Sequence, residues 1–295
     1  MSTKIKKSTG EKVFTVFNYI FMSVLIFVTV YPIWYVLVAS FSDSNALTGN
    51  MSLLFVPIDF TLDAYKMMLK NPMILIGYRN TLLVLVIGVT LNMFLTALGA
   101  YFMSRKRVLF KRPITLLIIF TMYFSGGLIP IYLNVRSLGL LDTYAALILP
   151  VAINTFNLII MRTSFTSIPD SLEESAILDG AGHLTLLFRI ILPLAKATVA
   201  VILLYYAVEH WNSWFNAMIF LNDRDKFPLQ LVLQEILIQN DTSSMTQMVS
   251  VGDSSSVGET VKYAVIIVSS VPIFCVYPFI QRYFEKGVMI GAVKE

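Results

Sequence analysis

Charge is scarce in this chain: only 14% of its 295 residues are Asp, Glu, Lys or Arg, where a soluble domain carries roughly a quarter. Histidine occurs twice, at His183 and His210, and cysteine once, at Cys275. A single cysteine excludes an internal disulfide, and inside an apolar run it reads as a small buried residue. No Cys/His/Asp cluster has metal-ligand spacing. The dipeptide Gly-Lys is missing altogether, so the G-x-x-x-x-G-K-[ST] loop that cradles nucleotide phosphates is absent. The net charge of +4 does not point to nucleic acid, because no basic run is interleaved with aromatics as base stacking requires. Neither catalysis nor ATP hydrolysis has residues to run on, so the chain is expected to be no enzyme and to bind no cofactor or metal itself.

What is abundant is apolar side chain, 57% of the residues, with a mean hydropathy of +0.74. Such a chain cannot cover its outside with polar groups, and lipid is its expected solvent. Runs free of acidic and basic residues extend over Val13–Ser42, Asn80–Ser104, Pro113–Val135, Thr143–Met161 and Tyr263–Gln281. Each meets or exceeds the roughly 18 residues that a helix needs to cross hydrocarbon. A sixth apolar segment, Ala197–Leu221, is interrupted only by Glu209 and His210. Spans in lipid must be helical, since each backbone group needs a partner within its own segment. The expected fold is therefore an all-α integral membrane protein with six transmembrane helices, at about 13–41, 80–104, 113–135, 143–162, 195–221 and 261–284. It forms one domain over residues 1–295. The first run is too long for a signal peptide and is read as a retained helix.

Fifteen of the 22 Lys and Arg residues fall on one side of these spans, with both termini. The positive-inside rule makes that side cytoplasmic. On the other side, the LDAYKMML stretch suits a short surface helix. The loop 222–261 opens with FPLQLVLQEILIQN, whose periodicity suits a helix lying on the surface. It continues through the Ser/Thr/Gly-rich DTSSMTQMVSVGDSSS. Away from the span ends, only Glu209 and the adjacent His210 stand as acidic or basic groups at mid-membrane. They read as a packing pair or the wall of a wet cavity, ahead of a proton relay.

The most informative stretch is Ile168–Leu194, IPDSLEESAILDGAGHLTLLFRIILPL. It is too polar for the bilayer and lies on the cytoplasmic side between two spans. Pro169 suits a helix start, and Asp170, Glu173 and Glu174 complement the positive helix end. Asp179-Gly180 ends that helix, and a second one leads to Pro193. The acidic residues argue against adsorption to an anionic lipid surface. A short, capped helix pair hung between spans suits the transmission of force from a soluble partner.

These residues resemble the EAA loop of permeases from ATP-binding-cassette (ABC) importers: Glu174-Ser175-Ala176-x-x-Asp179-Gly180-Ala181, then Leu187-x-x-Ile190-x-Leu192-Pro193-Leu194. Ser175 replaces an alanine, Leu187 holds the usual phenylalanine position, and Gly182 replaces a serine cap. Ala197 stands where a proline often closes the motif, which implies a softer bend into span five. The blocks Gly126–Pro150, Trp211–Ala217, Pro228–Leu233, Tyr277–Gly287 and Gly291–Lys294 are similar to those of MalG-like carbohydrate permeases, the LplC/YtcP type above all. The resemblance implies a type I importer permease in the bacterial cytoplasmic membrane, multi-pass, importing an oligosaccharide or polysaccharide fragment. Its implied partners are a second, homologous permease, an ABC ATPase dimer that binds ATP and Mg, and an extracellular sugar-binding lipoprotein. Glu173, Glu174, Ser175, Ala176, Asp179, Gly180 and Ala181 would couple to the ATPase. The tail with Gly287, Gly291 and Lys294 would also contact it. For the sugar path, aromatic faces and amides nominate Tyr132, Asn154, Asn157, Trp211, Asn212 and Trp214. An ion-coupled carrier lacks the charged mid-membrane groups it would need; a scaffold that passes no substrate is the other rival, and co-purified subunits discriminate both.

Overall fold

The computed structural model describes residues 8–48, 53–106, 108–238 and 254–292. Every regular element among them is helical. In chain order they are α1 (Thr9–Ser40), α2 (Ser44–Thr48), α3 (Asp63–Lys70), α4 (Pro72–Ser104), α5 (Lys111–Tyr123), α6 (Leu128–Ser137), α7 (Ala145–Ile148), α8 (Thr155–Thr166) and α9 (Asp170–Leu178). They continue with α10 (His183–Leu194), α11 (Lys196–Trp211), α12 (Trp214–Phe220), α13 (Leu229–Ile238) and α14 (Ser254–Ala292). Three helical stretches, Thr9–Ser40, Pro72–Ser104 and Thr260–Pro278, are long and apolar enough to cross a membrane. The number rises to six if each of three bent helix pairs is one span.

The chain divides into two compact units, residues 1–71 with 236–270, and residues 72–235 with 271–295. In the first, Ser8 and Glu11 close a capping box at the start of α1: each side chain accepts the other's backbone N–H, which satisfies two donors the helix leaves free. From Val13 to Val28 most side chains of α1 are exposed and apolar, as a lipid-facing helix requires. The end of α1 is the buried part: Val38 and Ala39 pack with Leu47 and Leu54, flanked by Tyr35, Ile58 and Tyr263. Ser42 ties the loop down by donating to the Val38 carbonyl and accepting the Ile58 N–H. The expected surface helix is α3, which buries only Ala64 and Met68.

In the second unit α4 is the central post. Ala97, Ala100, Tyr101 and Met103 pack with Leu158, Met161 and Phe165 of α8, with Leu187 and Ile191 of α10, and with Ile202 and Tyr206 of α11. Small residues let the helices approach closely: a Cβ on Gly99 would stand 3.0 Å from the tip of Leu158, and one on Gly77 only 2.9 Å from the Leu229 Cα.

Several expectations change here. The run 113–135 is not one straight helix, because α5 and α6 diverge by 112°. Gly127 between them takes φ +87, a left-handed conformation that no helix continues through. The run 143–162 bends by 52° between Val151 and Thr155, and the run 195–221 ends α11 at Trp211 before α12. The entry into α11 is not soft but a 90° turn at Ala195; Pro193 has already removed one amide from the ladder. The helix expected to lie on the surface after Pro228 forms as α13, yet it is buried through Leu229, Leu231, Val232, Leu233 and Ile236. Its apolar side chains are covered by protein rather than left for the membrane surface. Cys275 is exposed, not buried, consistent with a lipid-facing position on α14.

One polar node pins the 222–227 segment within this unit. Asp142, at φ +58, accepts the backbone N–H groups of Asn222 and Asp223 on Oδ1, both at 3.0 Å, and Lys226 Nζ on Oδ2 at 2.7 Å. The Lys226 ammonium, then the two amides, hold the Asp142 carboxyl at about 2, below its ordinary 3.8. A depressed folded-state pKa contributes stability above the unfolded value, lost as pH falls through the folded one. The melting temperature is therefore expected to drop between about pH 4 and pH 2 more steeply than in Asp142→Asn. Asparagine tolerates the same backbone conformation but cannot hold the charge. Parallel pH profiles for the two proteins would refute this role.

Candidate functional site

The acidic hairpin forms as two helices that meet at Gly180. Pro169 stands one residue ahead of α9, and Asp170 and Glu173 fill its first turn. At the other end Gly180 takes φ +83, its N–H bonds the Ile177 carbonyl and the Ala181 N–H bonds that of Ala176 at 2.9 Å. That is a left-handed glycine cap closing both ends of the turn. Ala176 is the buried residue of α9, while Glu174, Ser175, Asp179 and Gly180 are exposed. Leu178, 88% exposed, and Ile177 add an unpartnered apolar tip. The Ser175 hydroxyl donates back to the Ser171 carbonyl.

The hairpin is gripped by the turn after α4, which the sequence pattern did not reveal. Arg105 pairs with Glu173, with side chains 16% and 20% exposed, and Lys106 pairs with Asp170. The Lys106 ammonium holds the Asp170 carboxyl below its ordinary range. Arg105 also lies over the Tyr101 ring at 4.9 Å, and the Tyr101 hydroxyl meets His183 Nδ1 at 3.0 Å. Both helices of the hairpin are thereby tied to the end of α4. Lys111 Nζ closes the turn by donating to the Arg105 carbonyl; burial, then the Arg162, Arg105 and Lys106 charges, lowers its pKa. Of the two glutamates, Glu173 is held by the fold and Glu174 points outward.

Charge alone offered one signal for this grip: the basic run Arg105–Arg112 and the acidic start of α9 share one side of the spans. Arg105→Glu is expected to loosen the hairpin, and the double variant Arg105→Glu/Glu173→Arg to restore it. The coupling energy from a double-mutant cycle should be about 1–3 kcal/mol. Additive effects of the two changes on thermal stability would remove the pair from this role.

Beyond Arg105, α10 carries a π-helical stretch, Leu186–Ile191. Leu187 is fully buried in the core and Phe188, partly exposed, stacks on Phe94, so leucine at the motif's aromatic position is a packing choice.

The candidate path residues do not all converge. Asn154 lines a cleft of about 380 Å³ together with Thr121, Met122, Pro150, Val151, Ile153, Thr155, Phe156 and Glu209. The Asn154 Oδ1 caps α8 by accepting the Phe156 and Asn157 N–H groups. Asn157 is buried. Tyr132 stacks on Phe220, and Trp211 is buried edge-on to Tyr78. Asn212, at the end of α11, turns its amide to the Val208 carbonyl, and Trp214 packs against Phe215. His210 is buried against Gly88; its two ring nitrogens, Trp211 Nε1 and Asn92 Oδ1 have no partner among the described residues. Gly287 and Gly291 fall within α14, whereas Lys294 lies outside the described residues, as does most of the Ser/Thr/Gly-rich stretch. Among the described residues no group of three or more His, Cys, Asp or Glu is placed to hold a metal.

Among the described residues every regular element is helical and three to six helical stretches are long and apolar enough to cross a membrane, which makes the class an all-helical membrane protein. The chain belongs to the family described as binding-protein-dependent transport system inner membrane component, whose pattern matches residues 84–290. Among its relatives are two proteins of Bacillus subtilis (strain 168). It is 42% identical to the polygalacturonan/rhamnogalacturonan transport system permease protein YtcP, over 96% of this chain and 99% of that one. It is 41% identical to the protein LplC, over 96% and 95% respectively. Of the solved structures, a chain of a bacterial ABC transporter involved in the import of the acidic polysaccharide alginate superposes with a TM-score of 0.87. That chain is 34% identical, with 95% of this chain and all of that one covered. The protein is thus a multi-pass inner-membrane permease of the ABC sugar-transport type, and ATP hydrolysis belongs to another subunit.

Proposed function

We propose that this chain, as a single transmembrane domain of six spans with both termini cytoplasmic, carries an oligosaccharide or polysaccharide fragment into the cytoplasm. It works beside a second, homologous permease and above an ABC ATPase dimer that binds ATP and Mg. An extracellular sugar-binding lipoprotein delivers the substrate to the side of the 222–261 loop. The relatives' names support the substrate class. The observation that carries the coupling role is the hairpin itself. Its helix α9 is capped, tied to α4 through Arg105 and Lys106, and presents Glu174 with an apolar tip at Leu178.

The physics follows from that geometry. When ATPase subunits close, a short rigid helix held in a cleft is displaced as a body, where a loop would absorb the motion. The Arg105–Glu173 and Tyr101–His183 contacts pass the displacement to α4, the post around which α8 and α11 pack. Bent spans supply the breaks at which such motion is taken up. The tail with Gly287, Gly291 and Lys294 reaches toward the ATPase in the same reading. The test is purification of the tagged chain from its native membrane. An ATPase, a second permease and a sugar-binding lipoprotein should accompany it, and the complex in proteoliposomes should show ATP-driven glycan uptake. Isolation of the chain without an ATPase partner would refute the proposal.

A further inference from the structure

We propose that the cleft at the α7–α8 break is a sugar subsite that takes an uncharged pyranose and discriminates against a uronate. The inference rests on the reading of the chain as a glycan permease. Its starting point is the broken helix. Between Val151 and Thr155 the chain bends by 52°, and non-helical backbone at membrane depth persists only where protein covers it or where it lines a polar cavity. Here both conditions meet. The break is fixed from behind, by Asn92 Nδ2 donating to the Val151 carbonyl at 3.0 Å and by the Asn154 N–H donating to the Tyr206 hydroxyl at 2.9 Å. Its front forms the wall of the cleft.

The volume, about 380 Å³, lies within the range of small-ligand sites. The lining is suited to a sugar ring. Phe156, half exposed, offers an aromatic face to the C–H surface of a pyranose. Asn154 spends its carbonyl on the α8 cap, which leaves its NH₂ group as a donor to a hydroxyl. Thr155 adds a hydroxyl. Glu209, the single ionisable residue among the described residues of the lining, accepts hydrogen bonds from vicinal hydroxyls with its two oxygens. An ionisable group at membrane depth is costly unless it has such a role.

The same residue sets the charge preference. Among the described residues that line the cleft none is Lys or Arg, so a uronate carboxylate seated there would meet a carboxylate with no cation to offset it. The names of relatives point to acidic polymers, and this cleft departs from that chemistry.

The test uses the full complex, with Thr155→Cys as the reporter in a Cys275→Ser background and Thr121→Cys as a second reporter. The rate of maleimide modification is measured with trigalacturonate and with its carboxyl-reduced counterpart, galactotriose. Galactotriose at twice its dissociation constant is expected to slow labelling about threefold, and trigalacturonate to leave it unchanged. Glu209→Gln should let both protect. Equal protection by the two sugars, or protection by neither at either reporter, overturns the subsite. ATP-driven glycan uptake is followed in parallel: uptake with an unprotected cleft overturns this inference alone, whereas absence of any uptake overturns the importer reading beneath it.

Discussion

Glu174→Lys is expected to leave the chain inserted and folded while reducing ATP-driven uptake at least about tenfold: in the proposed docking Glu174 pairs with a basic residue of the ATPase, a like-charge contact there costs several kcal/mol, and each 1.4 kcal/mol is tenfold. Glu174 is exposed and, among the described residues, forms no ion pair, so its reversal breaks nothing within the chain. Glu173 behaves differently, because Arg105 already holds it. Its loss leaves an uncompensated, largely buried cation and lowers stability as well as uptake. The two variants separate docking from folding. If Glu174→Lys transports normally, or if it melts as early as Glu173→Ala, the outward glutamate is not the coupling residue.

Gly77→Ala carries the second large effect. A Cβ there stands 2.9 Å from the Leu229 Cα and 3.1 Å from its nitrogen, which are backbone atoms that cannot rotate away. The start of α13 must then move off α4. With it go the Leu229 N–H bond to the Thr81 hydroxyl and the Asn80 amide bonds to the Asp225 and Phe227 carbonyls. Overpacking of this kind costs about 1–3 kcal/mol, with further loss from the carbonyls left unpaired. Gly99→Ala is the matched control: its Cβ meets only the tip of Leu158 at 3.0 Å, a methyl group that can swing aside. Melting temperatures of the two solubilised variants should therefore fall unequally, Gly77→Ala far more. Equal shifts would mean that α13 is not seated on α4 as described.

The acidic hairpin shows how far local chemistry reaches. Asp179-Gly180 announced the cap that Gly180 makes at φ +83, and the first-turn acids announced the start of α9. Neither announced Arg105. The partner is separated from Glu173 by 68 residues, and nothing local couples a basic turn to an acidic helix beyond their sharing a side. The candidate sugar path was legible to a smaller degree. Asn154 reached the cleft, but Trp211 is committed to packing and Asn157 is buried, since an amide or an aromatic ring serves a core contact as readily as a ligand.

By itself the sequence determined the solvent, the helical class and the dependence on an outside motor. Those follow from composition, from uncharged runs long enough to cross lipid, and from motifs a few residues wide. The tertiary structure alone decided where the helices break, which glutamate is spoken for, and that α13 is buried rather than adsorbed. A bend depends on what the backbone on either side packs against, and an ion pair on which chain segments meet. Apolar periodicity states that a face must be covered, while only the folded neighbours settle what covers it.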